Sequence, residues 1–254
     1  MLDARLRGHD KTKLSMIQIG CGEIPKPRAQ YFRLFKTAEI QDTFYQLPLL
    51  RVADDWKTEA PPEFEFSIKA WQLITHPATS PTYDKLLDPV DSNLKPYYGL
   101  FQLTPEVQHS WARTLEFARR LHAKAILFQC PGSFEPTPKN KQALTYFFKS
   151  IPKLPIKMAI ELRGKWKTAD VEPLVKQFQL VHAVDPFQQE SASPDFCYFR
   201  LFGPKGFRSS YALEDLKELV TQVRRFRRGY VFFNNISMWD DAKRFQEMLN
   251  EPQE

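Results

Sequence analysis

The sequence predicts a single-domain α/β protein, a (β/α)8 TIM barrel. Three observations carry that expectation. Short apolar runs alternate with amphipathic helical segments along the whole chain, the pattern that builds a parallel sheet with helical crossovers. Eight such runs recur at intervals of roughly 25–35 residues, and the chain's 254 residues are the usual length of one barrel. Polar side chains gather at the carboxyl ends of the runs, where this fold builds its sites.

The first strand is Met16 to Gly20, closed by the turn Gly20-Cys21-Gly22. Arg28 to Lys36 reads as a helix with Tyr31, Leu34 and Phe35 on one face. Ala38 to Asp42 is the second strand. A short helix spans Leu49 to Thr58, and Pro61-Pro62 stops it. In the third strand, Phe64 to Ala70, Phe64, Phe66 and Ile68 share one face and Glu65, Ser67 and Lys69 the other. Residues 76–105 hold five prolines and several aromatics. A connection that long is expected to lie over the barrel mouth.

The next helix runs from Pro105 to His122, with Thr104 as cap and Val107, Trp111, Leu115, Ala118 and Leu121 on its inner face. Strand four is Ala125 to Gln129, followed by a helix from Pro138 to Ser150 that buries Leu144, Phe147 and Phe148. Strand five is Lys157 to Arg163, with a helix over Val171 to Phe178. Strand six is Leu180 to Asp185 and strand seven Phe196 to Leu201. A helix over Leu213 to Phe226 leads to strand eight, Tyr230 to Asn234, and a last helix covers Trp239 to Asn250. No composition break marks a second domain. Residues 1–14 read as a loose extension.

The strand ends supply the candidate site. Strand two offers Glu39, Gln41 and Asp42, strand three Lys69, and strand four Gln129. Strand five offers Glu161 and Arg163, strand six Asp185, strand seven Arg200, and strand eight Asn234 and Asn235. His76 lies just past strand three. Lys69, Arg163 and Arg200 are cations suited to a phosphate or carboxylate. Glu161 and Asp185 are candidate acids or bases, and Lys69 a candidate nucleophile. Gln41, Asp42, His76, Gln129 and Asn234 would orient a substrate by hydrogen bonds. Structure alone offers a competing account. Lys69, Glu161, Arg163 and Arg200 would pair with one another, Lys69 with Glu161 in particular.

These same segments resemble a known family. Glu39-Ile40-Gln41-Asp42-Thr43-Phe44-Tyr45, Phe66-Ser67-Ile68-Lys69-Ala70, Ile74-Thr75-His76, Leu127-Phe128-Gln129, Ala159-Ile160-Glu161-Leu162-Arg163 with Trp166, Tyr198-Phe199-Arg200-Leu201 and Phe232-Phe233-Asn234-Asn235 are similar, in order and spacing, to strings of the YecE-like family, domain of unknown function 72. The resemblance runs from about Ile17 to Leu249 and implies a TIM barrel. It departs at Gln41 and Asp42, where the family has Asn and Ser. The His that tends to follow Arg163 is missing, Phe202 stands where a His commonly follows Arg-Leu, and a further His after Asn234-Asn235 is absent. The family implies no settled activity.

Composition narrows the classes. The net charge of +6 permits anionic partners. Three cysteines without paired spacing argue against a disulfide framework. Cys21 and Cys130 follow strand ends, and packing is the expectation for both. No run is long and apolar enough for a membrane span, the amino terminus does not read as a secretory signal, and a cytoplasmic protein is expected. No cofactor is predicted. Glu39, Asp42, Glu161 and Asp185 are the carboxylates from which a divalent-metal site is conceivable. Trp71, Tyr97, Tyr98, Phe101 and Trp166 would either stack on a ligand ring or seal the rim. The leading reading is an enzyme of hydrolase, lyase or isomerase type acting on a small polar or phosphorylated molecule. The alternatives are a nucleic-acid-binding or phosphodiester-processing barrel and a non-catalytic ligand-binding barrel.

Overall fold

A computed structural model describes residues 16–25 and 27–251, so the extension expected over 1–14 lies outside the described residues. The strands are β1 (Met16–Cys21), β2 (Thr37–Ile40), β3 (Glu65–Lys69), β4 (Ala125–Gln129), β5 (Lys157–Glu161), β6 (Val181–Val184), β7 (Phe196–Leu201) and β8 (Arg228–Phe233). Helices α1 (Arg28–Leu34), α2 (Asp42–Tyr45), α3 (Leu50–Glu59), α4 (Gln72–Thr75), α5 (Pro105–Leu121), α6 (Pro138–Ser150), α7 (Thr168–Phe178), α8 (Leu213–Val223) and α9 (Met238–Asn250) alternate with them. Every strand pair is parallel, in the order β2-β3-β4-β5-β6-β7-β8-β1. The chain is a (β/α)8 barrel, and none of the described helices is long and apolar enough to cross a membrane.

The seam between β1 and β2 is bridged by a side chain. The Tyr31 hydroxyl on α1 accepts from the Cys21 amide at 2.7 Å and donates to the Thr37 carbonyl at 2.8 Å. Tyr31 is wholly buried. It satisfies backbone groups that a neighbouring strand would otherwise pair. Gly20 makes room for it, since a Cβ there would collide with the Thr37 carbonyl and the tyrosine oxygen.

Strand alternation sorts the core into two bodies. Ala125, Leu127, Ala159, Val181, Ala183, Tyr198, Tyr230 and Phe232 fill the barrel interior. The intervening residues, such as Ile126, Phe128, Ile160, Phe199 and Val231, pack outward under the helices. Glu39, Ser67, Lys69, Gln129, Glu161, Asp185 and Arg200 continue the inward register toward the carboxyl ends, above the apolar floor. His182 has the opposite register. Its amide donates to Ser193 and its Nδ1 accepts from the Ala192 amide.

Several boundaries move. Gln41 and Asp42 belong to the turn of α2 rather than to β2, and Arg163, Asp185 and Asn234 follow their strands by one or two residues. Strand ends read from sequence shift by one or two residues against the hydrogen-bonded ladder. The 76–105 segment contains two short 3-10 helices, Pro81–Lys85 and Lys95–Tyr97. It is pinned to α4 by the Gly99 amide on the Leu73 carbonyl at 2.8 Å and the Phe101 amide on the Ile74 carbonyl at 2.9 Å.

Candidate active site

Arg200, last but one in β7, organises the mouth. Its Nε and Nη2 donate to Glu39 on β2 at 2.7–3.1 Å. Its Nη1 donates to Gln129 at 3.1 Å and to Glu161 at 2.5 Å. Tyr198, two residues earlier on the same face, donates to Glu39 at 2.7 Å and exchanges a hydrogen bond with Ser67 at 2.6 Å. Arg200 and Glu39 have no exposed surface. Four of its five N–H groups are engaged by Glu39, Gln129 and Glu161, so the structure shows Arg200 organising the mouth, where the sequence predicts a direct substrate contact. Burial opposes its charge, but Glu161 and Glu39 outweigh that and hold it firmly cationic.

Glu161, at the end of β5, also accepts from Arg163 Nε at 3.2 Å. Burial would raise its carboxyl, yet Arg200, Arg163 and Lys69 outweigh burial and hold it below the ordinary range. Arg163 keeps 41% of its side chain exposed. Phe202, the residue standing at a position where the family resemblance places a His, lies 4.9 Å from the Arg200 guanidinium and 5.4 Å from that of Arg163. Its ring backs both cations.

Lys69 does not join this network. Among the described residues no carboxylate lies within ion-pairing distance of it, so the expected Lys69–Glu161 pair is corrected to Arg200–Glu161–Arg163. Arg wins because its planar fork reaches two carboxylates at once. Lys69 Nζ instead sits 4.1 Å from the Phe44 ring centroid. Burial first, then Arg200, bring its ammonium down to about 7. His76 stands edge-on to the same ring at 4.9 Å and shares a 2.8 Å hydrogen bond with Thr75. Burial and the neighbouring Lys69 and Arg163 lower it to about 4, so it is neutral at physiological pH.

Beside the network opens a cleft of about 770 Å³ lined by Glu161, Arg163, Asp185, Gln188, Gln189 and Phe202, with Trp166, Lys167 and Thr168 at the start of α7. Asp185 follows β6 and accepts from the Phe187 amide at 3.0 Å and Gln188 at 3.3 Å. Burial raises it to about 6. The cleft thus holds two carboxyl groups pushed in opposite directions. No residue of the 76–105 segment lines it.

On the β1–β2 side, Gln41 Nε2 donates to Asn234 Oδ1 at 2.5 Å. Gly22 underlies this pair so closely that a Cβ would overlap both groups. Asn235 is turned away and donates to Asp241 and to the Ser209 carbonyl. Asp42 begins α2 and is exposed. Among the described residues no three His, Cys, Asp or Glu side chains gather as metal ligands. Of the four carboxylates named for a metal site, Glu39 and Glu161 are bound to Arg200, Asp185 shares the cleft with Glu161, and Asp42 is exposed. Cys21, Cys130 and Cys197 are buried, and burial raises all three thiols. Of the aromatics, Phe101 is sealed against Phe128, Phe134, Phe147 and Phe148. Trp166 stacks on Phe134, and Trp71 is buried.

The family model described as protein of unknown function DUF72 matches residues 25–254. The chain belongs to the DUF72 family. A DUF72 family protein from Enterococcus faecalis superposes with a TM-score of 0.68 at 20% identity, over 94% of this chain and 100% of that one. Another from Thermotoga maritima gives 0.67 at 21%, over 93% and 100%. A xylose isomerase domain containing protein from Salmonella typhimurium gives 0.60 at 15%, over 93% and 98%. At these identities the likeness is one of fold. No curated protein matches the sequence.

Within this DUF72 chain, Tyr198, Ser67, Phe44, Gln188 and Gln189 are site neighbours that strand-end reasoning passes over. Tyr198 and Ser67 were within reach, since each lies two residues before a named inward residue, Arg200 and Lys69. Phe44 and the glutamines sit in loops and short turns, whose direction no periodicity encodes.

Proposed function

We propose that this DUF72 protein is an acid–base enzyme acting on a small polar molecule with an anionic group, bound in the cleft beside β5 and β6. The observation that carries this reading is the pairing of Asp185 and Glu161 in one cleft with carboxyl groups driven apart, the first raised to about 6 and the second lowered. Two such groups divide the work of an acid and an anion-stabilised partner. Asp185 holds or releases a proton near neutral pH. Glu161 stays ionised and fixes Arg163. The guanidinium of Arg163 is partly exposed and has N–H groups left for a phosphate or carboxylate. Lys167 and the first turn of α7 add positive potential at the same edge. Gln188 and Gln189 supply neutral hydrogen bonds.

Proton NMR in deuterated water tests the reading on a panel of sugar phosphates and hydroxy acids. Deuterium incorporation or product formation with the wild-type protein, lost in Asp185→Asn and weakened through KM in Arg163→Ala, supports it. Turnover that survives Asp185→Asn removes that residue from the mechanism. Binding of a panel member without any conversion favours the ligand-binding barrel.

A further inference from the structure

Lys69 is an inward-facing cation at the barrel mouth that no carboxylate holds among the described residues. It ends β3, in register with Ser67, and is 3% exposed. Both carboxylates that would neutralise it are engaged elsewhere: Glu39 by Arg200 and Tyr198, Glu161 by Arg200 and Arg163. Its nitrogen lies over the face of Phe44, 4.1 Å from the ring centroid. A cation–π contact returns less than the cost of taking an ammonium out of water. That imbalance favours the neutral amine, and the tendency to about 7 has the same origin. A desolvated lysine beside another cation carries a free lone pair at neutral pH.

We propose that the Lys69 ε-amine is a covalent catalytic group that condenses with the carbonyl carbon of an aldehyde or ketone held at the barrel mouth. The inference deepens the acid–base reading and rests on it for the substrate's anionic end; Lys69 lies outside the cleft lining, and the carbonyl end would reach past Glu161 and Arg163, which line the cleft and are charge neighbours of Lys69. The Nζ lone pair forms the new C–N bond. The carbonyl π pair moves to oxygen, which takes up the proton that Nζ releases, giving a carbinolamine. The hydroxyl then leaves as water with a proton from solvent, and the nitrogen lone pair closes a protonated imine. Water is the only group lost, and no oxidant or reductant is consumed. The cationic nitrogen draws electrons from the adjacent carbon, so that a base in the cleft can remove its proton. Arg200 serves by keeping Glu39 and Glu161 from protonating and capturing Lys69.

Reductive trapping tests it. The full-length protein is incubated at neutral pH with dihydroxyacetone phosphate, pyruvate or acetaldehyde and sodium cyanoborohydride, and adducts are mapped by peptide mass spectrometry. At neutral pH an amine at about 7 has on the order of 10³-fold more free base than a surface lysine. Lower nucleophilicity offsets part of this. The peptide carrying Lys69 is expected to label roughly 10-fold faster than any exposed lysine, and Lys69→Arg and Lys69→Met to abolish that adduct. Labelling spread over exposed lysines with Lys69 unmodified overturns the proposal, and this mapping on the wild type decides even where a variant fails to fold. Asp185→Asn separates the two readings, since it should lose turnover yet keep the Lys69 adduct. Asp185-dependent turnover without a Lys69 adduct sinks the imine and leaves acid–base catalysis standing.

Discussion

The guanidinium of Arg200 on β7 and the carboxylate of Glu39 on β2 meet across the barrel, Nη2 to Oε1 at 2.7 Å, with both side chains wholly buried. The pair ties strands from opposite sides of the sheet and sits directly above the apolar interior. Glu161 and Gln129 attach to the same guanidinium, so one side chain on β7 positions residues from three other strands.

Removing Arg200 should therefore cost more than its own contacts. Arg200→Met strands two carboxylates in a dry site, a loss of about 3–5 kcal/mol in urea denaturation. The double variant Arg200→Met with Glu39→Gln should recover part of it, because the orphaned charge goes too. Strict additivity of the two changes would show that the pair does not interact.

Tyr31→Phe removes the hydroxyl that bridges β1 and β2. The Cys21 amide and the Thr37 carbonyl lose their partner in a buried seam, and about 1–3 kcal/mol of stability should go with it. Hydrogen exchange at the Cys21 amide should accelerate ahead of amides in the centre of β4. Equal protection in the two proteins would mean that another group closes the seam.

Gly22→Ala places a methyl group into the Gln41–Asn234 pair. The expected loss is about 1–3 kcal/mol, the usual range for overpacking. Adding Asn234→Ala should relieve it, making the double variant more stable than additivity predicts.

Asp185 gives the stability curve a definite slope. Its folded carboxyl, at about 6, lies above the ordinary value of 3.8, so the folded state binds the extra proton between those values. Stability from this group is complete below about 3.8 and declines as pH rises through about 6. Asp185→Asn should thus be more stable than wild type at neutral pH, by on the order of 2 kcal/mol, and indistinguishable near pH 3.5. Glu161 works in the opposite sense. Its lowered carboxyl contributes stability above its ordinary value, lost as pH falls through the lowered one. Urea midpoints measured across this pH range for Asp185→Asn, Glu161→Gln and wild type separate the two slopes.

The sequence by itself determined the barrel and the inward register of its site. Ala125 to Gln129 and Phe196 to Leu201 are strands at the residues the apolar runs mark, and Pro105, Thr104 and Pro138 set helix starts where capping chemistry requires. Period-two alternation also put Lys69, Glu161 and Arg200 on the inner face, because a strand allows each side chain only one of two sides. Tertiary structure alone decided who pairs with whom. Whether Glu161 takes Lys69 or Arg200 depends on distances between β3, β5 and β7, strands separated by tens of residues, and on the reach of a planar guanidinium against that of a single ammonium. The same holds for Asp185 and for the 76–105 segment. Burial raises the one and backbone hydrogen bonds to α4 pin the other, and neither leaves a local period in the chain.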